Sequence, residues 1–481
     1  MKKTLMKKLF LSTMATCAFN ASAVHVNPEG LGDALLIPYY TVNNDLNTLV
    51  TVTNTKSTSK AVKINIREGL NGHAVLSYNV YLGPFDTWSF ALVATQSTVS
   101  GNEGQDSAFL ASADASCAPF LLKAGQEFLP FEFIDGPNDL SRAREGFIEV
   151  VEMGELTGEL ADFVDQGTVG VPENCAGIVE AWSSGGIWDE SSGGNVEESM
   201  TAGSGGLMAE TNVINVAEGI NFSIPVVAFE GFFADDTIAH ANPGDTSLSL
   251  DAAEPIATVT ANANTYQMSF ESGIDAVSAV LMSDELISTY ALDNIVAGKS
   301  EVVFVQPTRR FYIDEGLVNA EPPYTQVLNT DDCSDQNYGG TGITQTLIDR
   351  EGQVEFLTVG GVTQPPSPHE LAICSSVYVF QMLLPDTADR VPSITGSGNY
   401  RSLETPTNAA VESGFSLIEF LGTLPLTGTD VNTEKEVELM GLPILGVALQ
   451  QYTNGGAQAG LLAQYGGAQK IKSRVRVIEQ N

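Results

Sequence analysis

Residues 61–67 read AVKINIR and carry the clearest structural signal in the chain. Three branched apolar side chains alternate with three polar ones: Val62, Ile64 and Ile66 against Lys63, Asn65 and Arg67. A period of two predicts a β-strand with one face in the core and the other face in water.

The neighbouring segments repeat this alternation. The dipeptide Asn71-Gly72, typical of a type I′ turn, precedes a second alternating segment over residues 76–82. A turn at residues 83–86 leads to a third such segment, and residues 47–54 are rich in Thr and Val. We therefore predict a β-meander whose apolar face is covered by a second sheet.

The first 23 residues have the three parts of a secretory signal peptide. Four lysines precede the apolar run from Leu9 to Phe19, and the small residues Ala21-Ser22-Ala23 follow it. The run is shorter than the roughly 20 residues that a permanent transmembrane helix needs. We expect cleavage before Val24, export to the periplasm, the cell surface or the medium, and no membrane span in the mature chain.

The mature chain is strongly acidic. Loss of the four signal-peptide lysines leaves 18 basic residues against 59 acidic ones, a formal net charge of −41. Such a charge repels nucleic acids and anionic membrane surfaces. It suits either solubility alone or cation binding in a salty medium.

Four cysteines remain after cleavage, and an even number in an exported chain favours disulfides. None forms a CxxC pair, and four histidines are too few for a convincing zinc site. Chain order favours Cys117–Cys175 and Cys333–Cys374 among the three possible pairings.

Glycine, proline and alternating segments recur along the chain, which predicts an all-β or β-dominated fold of β-sandwich units with a few short helices. After the signal peptide (1–23), we predict an N-terminal β-sandwich region over 24–235. It includes an insert at Cys117/Cys175 and a Ser/Gly-rich segment over residues 183–206, which is either a flexible surface loop or a linker. A C-terminal β-rich region follows over 236–481.

Helical spacing of apolar residues predicts three short helices. They lie over residues 155–164, near 274–281 and near 287–291.

Basic residues are concentrated near the C-terminus, where Lys470, Lys472, Arg474 and Arg476 occupy alternate positions. The pattern fits an edge strand that its charges protect from aggregation. It also fits a strand that pairs with an acidic neighbour, in the same chain or another copy, and so promotes assembly.

Hydrolase chemistry has little support in the sequence. A catalytic serine needs a tight strand-to-helix turn and a nearby histidine, and Ser204 in AGSGG lacks the first glycine of that motif. We expect all four histidines to be exposed loop residues: His25, His73, His240 and His369.

Glycoside hydrolysis needs two carboxylates at a fixed separation, and 59 acidic residues can supply such a pair by chance. Glu149, in a strand pattern, and Glu230, near several phenylalanines, are candidates in that loose sense. Five aromatic residues fit either the core or an exposed platform for sugar rings: Tyr39, Tyr40, Tyr78, Tyr81 and Trp88.

Two oxygen-rich segments are weak candidates for structural calcium, which binds clustered carboxylate and carbonyl oxygens. One contains Asp331, Asp332 and Asp335, and the other contains Asp430, Asn432 and Glu434. Neither has the glycine and terminal glutamate of an EF-hand loop, so solvated loops are the simpler interpretation. We expect no other cofactor, since the glycine-rich segments lack the residues of a phosphate-binding loop.

Several short motifs are spread along the chain: LIPYYT at 36–41, VTNT at 52–55, GFIEV at 146–150, PTRRFY at 307–312 and QYGG at 464–467. Together they resemble a group of exported β-rich proteins of Gram-negative bacteria. The resemblance implies no catalytic residues. The first segment also resembles immunoglobulin-like sandwiches, which is an analogy of fold only.

These observations favour a secreted or surface-associated structural or interaction protein without catalytic activity, one that self-assembles or adheres. Its partner would be a protein, a surface polysaccharide or another copy of the chain, and not a nucleic acid. The alternative is a carbohydrate-binding protein or glycoside hydrolase that uses aromatic platforms and paired carboxylates.

Overall fold

The computed structural model describes most of the chain. The described residues are 23–135, 138–313, 319–327, 341–352, 354–355, 358–359, 362–363, 372–384, 387, 391–405, 412–458 and 461–479. Strand accounts for 47% of the structure and helix for 11%, which confirms the β-dominated fold class. Among these residues, no helix is both long and apolar enough to cross a membrane.

The strands are numbered in chain order. They are β1 (His25–Val26), β2 (Ala34–Thr41), β3 (Asn47–Asn54), β4 (Lys60–Glu68), β5 (Ala74–Leu82), β6 (Thr87–Gln96), β7 (Asp106–Ala111), β8 (Gln126–Glu127), β9 (Glu145–Leu156), β10 (Met200–Thr201), β11 (Leu207–Asn215), β12 (Ile220–Ile224), β13 (Val227–Glu230), β14 (Ile256–Ala261), β15 (Asn264–Ser269), β16 (Met282–Ser283), β17 (Glu285–Ala291), β18 (Lys299–Val305), β19 (Thr341–Asp349), β20 (Val354–Glu355), β21 (Thr358–Val359), β22 (Val362–Thr363), β23 (Ala372–Ile373), β24 (Val377–Leu383), β25 (Tyr400–Glu404), β26 (Ser413–Phe420), β27 (Leu426–Asp430), β28 (Glu436–Met440), β29 (Leu442–Pro443), β30 (Leu445–Gln458), β31 (Leu461–Lys470), β32 (Lys472–Arg474) and β33 (Arg476–Glu479). The α-helices of the described residues are α1 (Gly158–Val164), α2 (Cys175–Ala181) and α3 (Gly273–Leu281).

The N-terminal region forms two antiparallel sheets. The first has the order β1-β13-β2-β9-β4-β5, with β10 paired to β9, and the second has the order β12-β11-β3-β6-β7-β8. Both contribute to one apolar core, the first through Val62, Ile64 and Ile66 and the second through Trp88 and Phe90. A second sheet therefore covers the apolar face of β4, as predicted.

The predicted meander is wrong in its connections. β4 and β5 pair in the first sheet, whereas β3 and β6, which precede and follow them, pair with each other in the second sheet. The chain thus crosses between the two sheets, because the same stretch has to supply both apolar layers of the core.

The connection from β4 to β5 is also longer than the predicted type I′ turn. Gly72 has a positive φ of 80°, but Asn71 does not. The Glu68 carboxylate accepts hydrogen bonds from the backbone N–H groups of Leu70, Asn71 and His73 at 2.6, 2.9 and 3.0 Å. These three bonds stabilise a wider loop.

The C-terminal region forms further sheets from strands that all follow β13. The three larger ones have the orders β14-β15-β27-β28-β33, β20-β19-β26-β17-β32 with β23 on β19, and β25-β24-β18-β30-β31. The strand pairs β16–β29 and β21–β22 each form a separate two-stranded sheet. The domain boundary after residue 235 falls between β13 and β14 and stays a prediction.

Two of the predicted helices are present. α3 occupies the segment near 274–281, and α1 occupies the later part of 155–164, whose first residues still belong to β9. The helix predicted near 287–291 is wrong, because this segment is β17 and pairs with both β26 and β32. Its buried residues alternate with more exposed ones, a period of two that outweighs the helical spacing.

Cys117 and Cys175 form the predicted disulfide, with their Cα atoms 5.2 Å apart. It joins the segment after β7 to the first residue of α2. Cys333 lies outside the described residues, so the Cys333–Cys374 pairing stays a prediction.

Candidate functional site

The polar face of β4 is buried, and the prediction that it lies in water is wrong. Lys63, Asn65 and Arg67 are at most 1% exposed. The segment between β13 and β14 covers them: Lys63 Nζ donates to the backbone oxygen of Asn242 at 2.7 Å, and Asn65 Nδ2 donates to that of Leu248 at 2.8 Å. Carbonyl oxygens on the covering segment make burial of this polar face possible.

An ion-pair network occupies the centre of this face. Arg67 Nε lies 2.7 Å from Glu149 Oε2, and Arg310 Nη2 lies 4.0 Å from Glu149 Oε1. Burial acts to raise the pKa of Glu149, but the two guanidinium charges outweigh it, so this pKa lies below its ordinary value. Glu149 is therefore a paired structural anion, which does not suit the general acid of a glycoside hydrolase.

Ser204, the hydrolase candidate, lies beside Lys60. Lys60 Nζ donates to Ser204 Oγ at 3.2 Å, to Glu152 at 2.5 Å and to Glu155 at 3.1 Å. An amine that donates to two carboxylates acts as an ammonium ion, which cannot accept a proton from serine. The cluster instead anchors a loop, since the backbone N–H of Gly205 donates to Glu152 at 2.8 Å.

A cleft of about 400 Å³ opens next to this cluster, with acidic side chains on its wall. Burial raises the pKa values of Asp33 and Glu152 within it. Asp33 accepts a hydrogen bond from the backbone N–H of Phe232 at 2.9 Å, so both carboxylates hold loops at the rim. Glu230, the second glycosidase candidate, lies 3.4 Å from His25 at the surface. These contacts favour a structural role for the cleft.

The five aromatic residues of the core-or-platform alternative are buried. Tyr39, Tyr40, Tyr78, Tyr81 and Trp88 are each at most 2% exposed. This confirms the core interpretation and contradicts a sugar platform built from these rings.

Tyr81 belongs to an aromatic cluster with Trp182, Trp188 and His240. Its hydroxyl lies 3.0 Å from His240 Nε2 and accepts a hydrogen bond from Trp182 Nε1 at 2.9 Å. The His240 ring centroid lies 4.7 Å from that of Trp182 and 4.5 Å from that of Trp188. Burial, with a smaller contribution from the charge of Lys63, lowers the pKa of His240 to about 3.

This cluster corrects two predictions. His240 is packed between rings and is not an exposed loop residue. Trp188 is buried within the segment predicted as a flexible Ser/Gly-rich loop, so the cluster attaches that segment to the first sheet. Of the other histidines, His73 Nε2 lies 3.2 Å from Asp135 Oδ2, and His369 lies outside the described residues.

Within the described ranges, no group of three or more His, Cys, Asp or Glu side chains is arranged to hold a metal ion. The calcium candidates Asp331, Asp332 and Asp335 lie outside those ranges. Asp430 Oδ1 accepts hydrogen bonds from the backbone N–H groups of Asn432 and Thr433 at 3.0 and 2.7 Å, so it caps a turn that Glu434 closes. Calcium binding stays a prediction.

Two of the four basic residues near the C-terminus, Arg474 and Arg476, contact acidic side chains of the same chain. Arg474 Nη1 lies 2.7 Å from Glu285 Oε1, and Arg476 Nε lies 2.9 Å from Asp284 Oδ2. Lys470 ends β31 and Lys472 begins β32, while β32 and β33 each form the edge of a sheet. The structure thus combines the edge-strand and acidic-neighbour interpretations, and assembly through these residues stays a prediction.

Three loops of the N-terminal region carry exposed apolar side chains, which we call the apolar loop cluster. The loops are residues 83–86, 118–123 and 165–171. The exposed fractions are 67% for Phe85, 66% for Phe120, 61% for Leu122, 81% for Val169 and 56% for Val171.

Ser116, next to the disulfide, brings the three loops together. Its hydroxyl oxygen lies 2.9 Å from Asp86 Oδ2 and accepts a hydrogen bond from Gln166 Nε2 at 3.3 Å. Its backbone oxygen accepts a hydrogen bond from Lys123 Nζ at 2.6 Å. Each of these partners belongs to a different loop, so Ser116 joins the three loops that carry the apolar side chains.

Phe85 and Phe120 also have a rare backbone conformation. Their φ values are +56° and +64°, in the left-handed region that bulky residues seldom adopt. Strained backbone of this kind concentrates at functional sites. Both rings stay exposed, so the strained backbone does not place them in the core. This points to a role outside folding.

Sequence reasoning missed this cluster. Phe85 stands in Gly83-Pro84-Phe85-Asp86, and a phenylalanine in a turn otherwise made of turn-forming residues is the one available signal. The convergence of the three loops has no sequence signature, because Ser116 joins segments far apart in the chain.

No protein-family model, no curated protein and no solved structure matches this chain. Function therefore has to be inferred from the residues and their geometry.

Proposed function

We propose that this chain is an exported interaction protein that attaches to a partner protein at the cell surface through the apolar loop cluster and catalyses no reaction. The exposure of five large apolar side chains on three converging loops carries this proposal. Single apolar side chains on a surface are ordinary, whereas five of them on loops that Ser116 joins can form the contiguous apolar patch that marks an interaction site.

Export is supported by several independent features. The signal-peptide pattern, the Cys117–Cys175 disulfide and the formal net charge of −37 suit an oxidising and salty compartment. The resemblance to exported β-rich proteins of Gram-negative bacteria agrees with it. Two sheets over one core also agree with an immunoglobulin-like sandwich, a fold that commonly binds through loops at one end.

The side chains of the cluster define the partner's chemistry. Two phenylalanine rings beside leucine and valine side chains fit an apolar pocket on a protein, where aromatic residues contribute most to affinity. Sugar rings stack on flat aromatic faces, and Leu122, Val169 and Val171 provide none. The acidic surface opposes nucleic acid.

Binding of the labelled mature chain to intact cells of the producing bacterium tests the proposal. We expect the double variant Phe85→Asp/Phe120→Asp to bind at least about ten-fold less, because a carboxylate cannot enter an apolar pocket without a large desolvation cost. Ile295→Asp is the matched control, since Ile295 is 90% exposed and lies outside the cluster. It should bind like the wild type.

The possible occupants give different results in this assay. Protease treatment of the cells should abolish binding if the partner is a protein. Binding that survives protease but is lost with the surface polysaccharide would contradict a protein partner. Equal binding by wild type and double variant would overturn the role of the cluster. Wild-type dimers in sedimentation velocity that the double variant lacks would identify a second copy as the occupant.

A further inference from the structure

Arg309 is a deeply buried arginine whose guanidinium has no hydrogen-bond partner among the described residues. It lies in the 3-10 turn Arg309–Phe311 that follows β18, and it is 2% exposed. Its Nε, Nη1 and Nη2 atoms make no hydrogen bond within the part of the chain that the structure describes.

Other buried arginines show how this fold satisfies a guanidinium. Arg142 donates to Glu68 at 2.9 and 3.0 Å and to Asp135 at 2.7 and 2.8 Å. Arg67 lies 2.7 Å from Glu149. Arg309 is as deep as these two residues, but no described carboxylate forms an ion pair or hydrogen bond with it.

A buried guanidinium needs a counter-charge. Burial lowers the pKa of Arg309 to about 10, so the side chain still carries its proton at neutral pH. An unpaired charge in a protein interior is strongly unfavourable, and every N–H group removed from water without an acceptor adds to the cost.

Tyr324 is the neighbour of the Arg309 guanidinium. Its Cζ lies 5.8 Å from the centroid of the Tyr324 ring, and the buried Tyr324 hydroxyl has the side chain of Thr308 as its hydrogen-bond neighbour. A guanidinium offers five N–H donors and a phenol one O–H donor, so the two side chains together favour a negatively charged acceptor.

We propose that Arg309, assisted by Tyr324, binds a small monovalent anion, which in a saline medium is chloride. One guanidinium charge balances one negative charge, and burial of both side chains excludes a bulky anion. The anion would stabilise the C-terminal region as a structural ligand, independently of the apolar loop cluster.

Thermal unfolding of the mature chain in sodium chloride and in sodium gluconate, at equal concentration, tests this site. The sodium ions screen the acidic surface equally in both salts, and gluconate is too large for an enclosed site. We expect a saturable rise in the unfolding midpoint of about 2–4 °C in chloride. A sodium acetate series distinguishes a small carboxylate from a halide as the ligand.

Two variants test whether the difference in unfolding midpoint between the salts arises at Arg309. Arg309→Met should abolish the difference between the salts, whereas Arg350→Met, which removes an arginine from the surface, should keep it. Equal wild-type midpoints in chloride, acetate and gluconate would contradict the proposal, as would an unchanged difference in Arg309→Met. If Arg309→Met fails to fold, wild-type crystals grown in sodium bromide show whether an anion occupies the site. An anomalous peak in contact with the guanidinium supports the site, and its absence overturns it.

Discussion

The buried face of β4 and the apolar loop cluster reverse the ordinary distribution of side chains. On β4 and β9, charged residues such as Lys60, Arg67 and Glu149 lie inside the molecule, whereas Phe85 and Phe120 project into solvent. The buried charges have partners at close range, and the exposed rings have a strained backbone. The charges therefore stabilise the architecture, and we propose that the apolar surface serves binding.

The buried charges define the fold more than they strengthen it. A buried ion pair contributes little over well-packed apolar residues, but loss of one partner leaves an uncompensated charge. A slip of β4 by one residue would place Val62 in the polar layer and Lys63 in the apolar core. The network thus fixes the register of the central strand.

Glu149→Gln should give the largest effect on stability. The substitution keeps the shape of the side chain but leaves Arg67 and Arg310 without their shared counter-charge. We expect a loss of about 3–5 kcal/mol in the free energy of unfolding, measured by urea denaturation.

Glu351→Gln is its matched control at the surface. Arg350 Nε lies 2.9 Å from Glu351 Oε1, and both side chains are more than half exposed. We expect a change of about 0–1 kcal/mol. Equal losses in the two glutamine variants would remove the distinction between the buried network and the surface.

Removal of the disulfide should have the next largest effect. Cys117→Ala/Cys175→Ala opens a loop with a sequence separation of 58 residues, which increases the entropy of the unfolded chain. We expect a loss of about 2–4 kcal/mol by urea denaturation. Reduction of the wild type, which also opens the predicted Cys333–Cys374 bond, should cause at least this loss, and a reduced protein as stable as the oxidised one would contradict the prediction.

Acidification should affect two buried groups in opposite directions. The pKa of His240 falls from 6.5 to about 3 on folding, so the unfolded chain binds a proton first and stability is lost as the pH falls below 6.5. Burial raises the pKa of Glu145 from 4.5 to about 7, so the folded chain binds the proton first and stability rises as the pH falls toward 4.5.

Single variants separate these two contributions. Between pH 7 and pH 5, the wild type should lose about 2 kcal/mol relative to His240→Gln and gain about 2 kcal/mol relative to Glu145→Gln. Urea denaturation at the two pH values measures both differences. Differences of the same sign would show that at least one of the groups is not buried as described.

The sequence predicted individual strands better than it predicted which faces of those strands are buried. Val62, Ile64 and Ile66 identified a strand because alternation is a local property. The burial of Lys63, Asn65 and Arg67 depends on a segment nearly 180 residues away, and no local pattern records that contact. The same limit applies to His240 and Trp188, which looked like residues of polar loops.

The candidate site was less predictable than the fold. Ser204 and Glu149 were weak candidates in the sequence, and their partners Lys60 and Arg310 emerged only from the structure. Phe85 and Phe120 lie in turns, where sequence patterns report backbone shape and do not report exposure.

Phe120→Gly should give the smallest effect on stability, with the opposite sign. Glycine adopts a positive φ without steric strain, and the exposed ring makes little contribution to the core. We expect a gain of about 0–1 kcal/mol by urea denaturation. A loss above about 1 kcal/mol would show that the ring supports the fold, and would weaken the contrast with the buried network.

The double variant Phe85→Gly/Phe120→Gly tests the central claim most directly. The decisive measurement is the amount of this variant that intact cells bind, taken at a concentration where it is fully folded. We predict unchanged or increased stability together with at least about a ten-fold loss of binding. Binding equal to that of the wild type would contradict the assignment of the exposed rings to attachment.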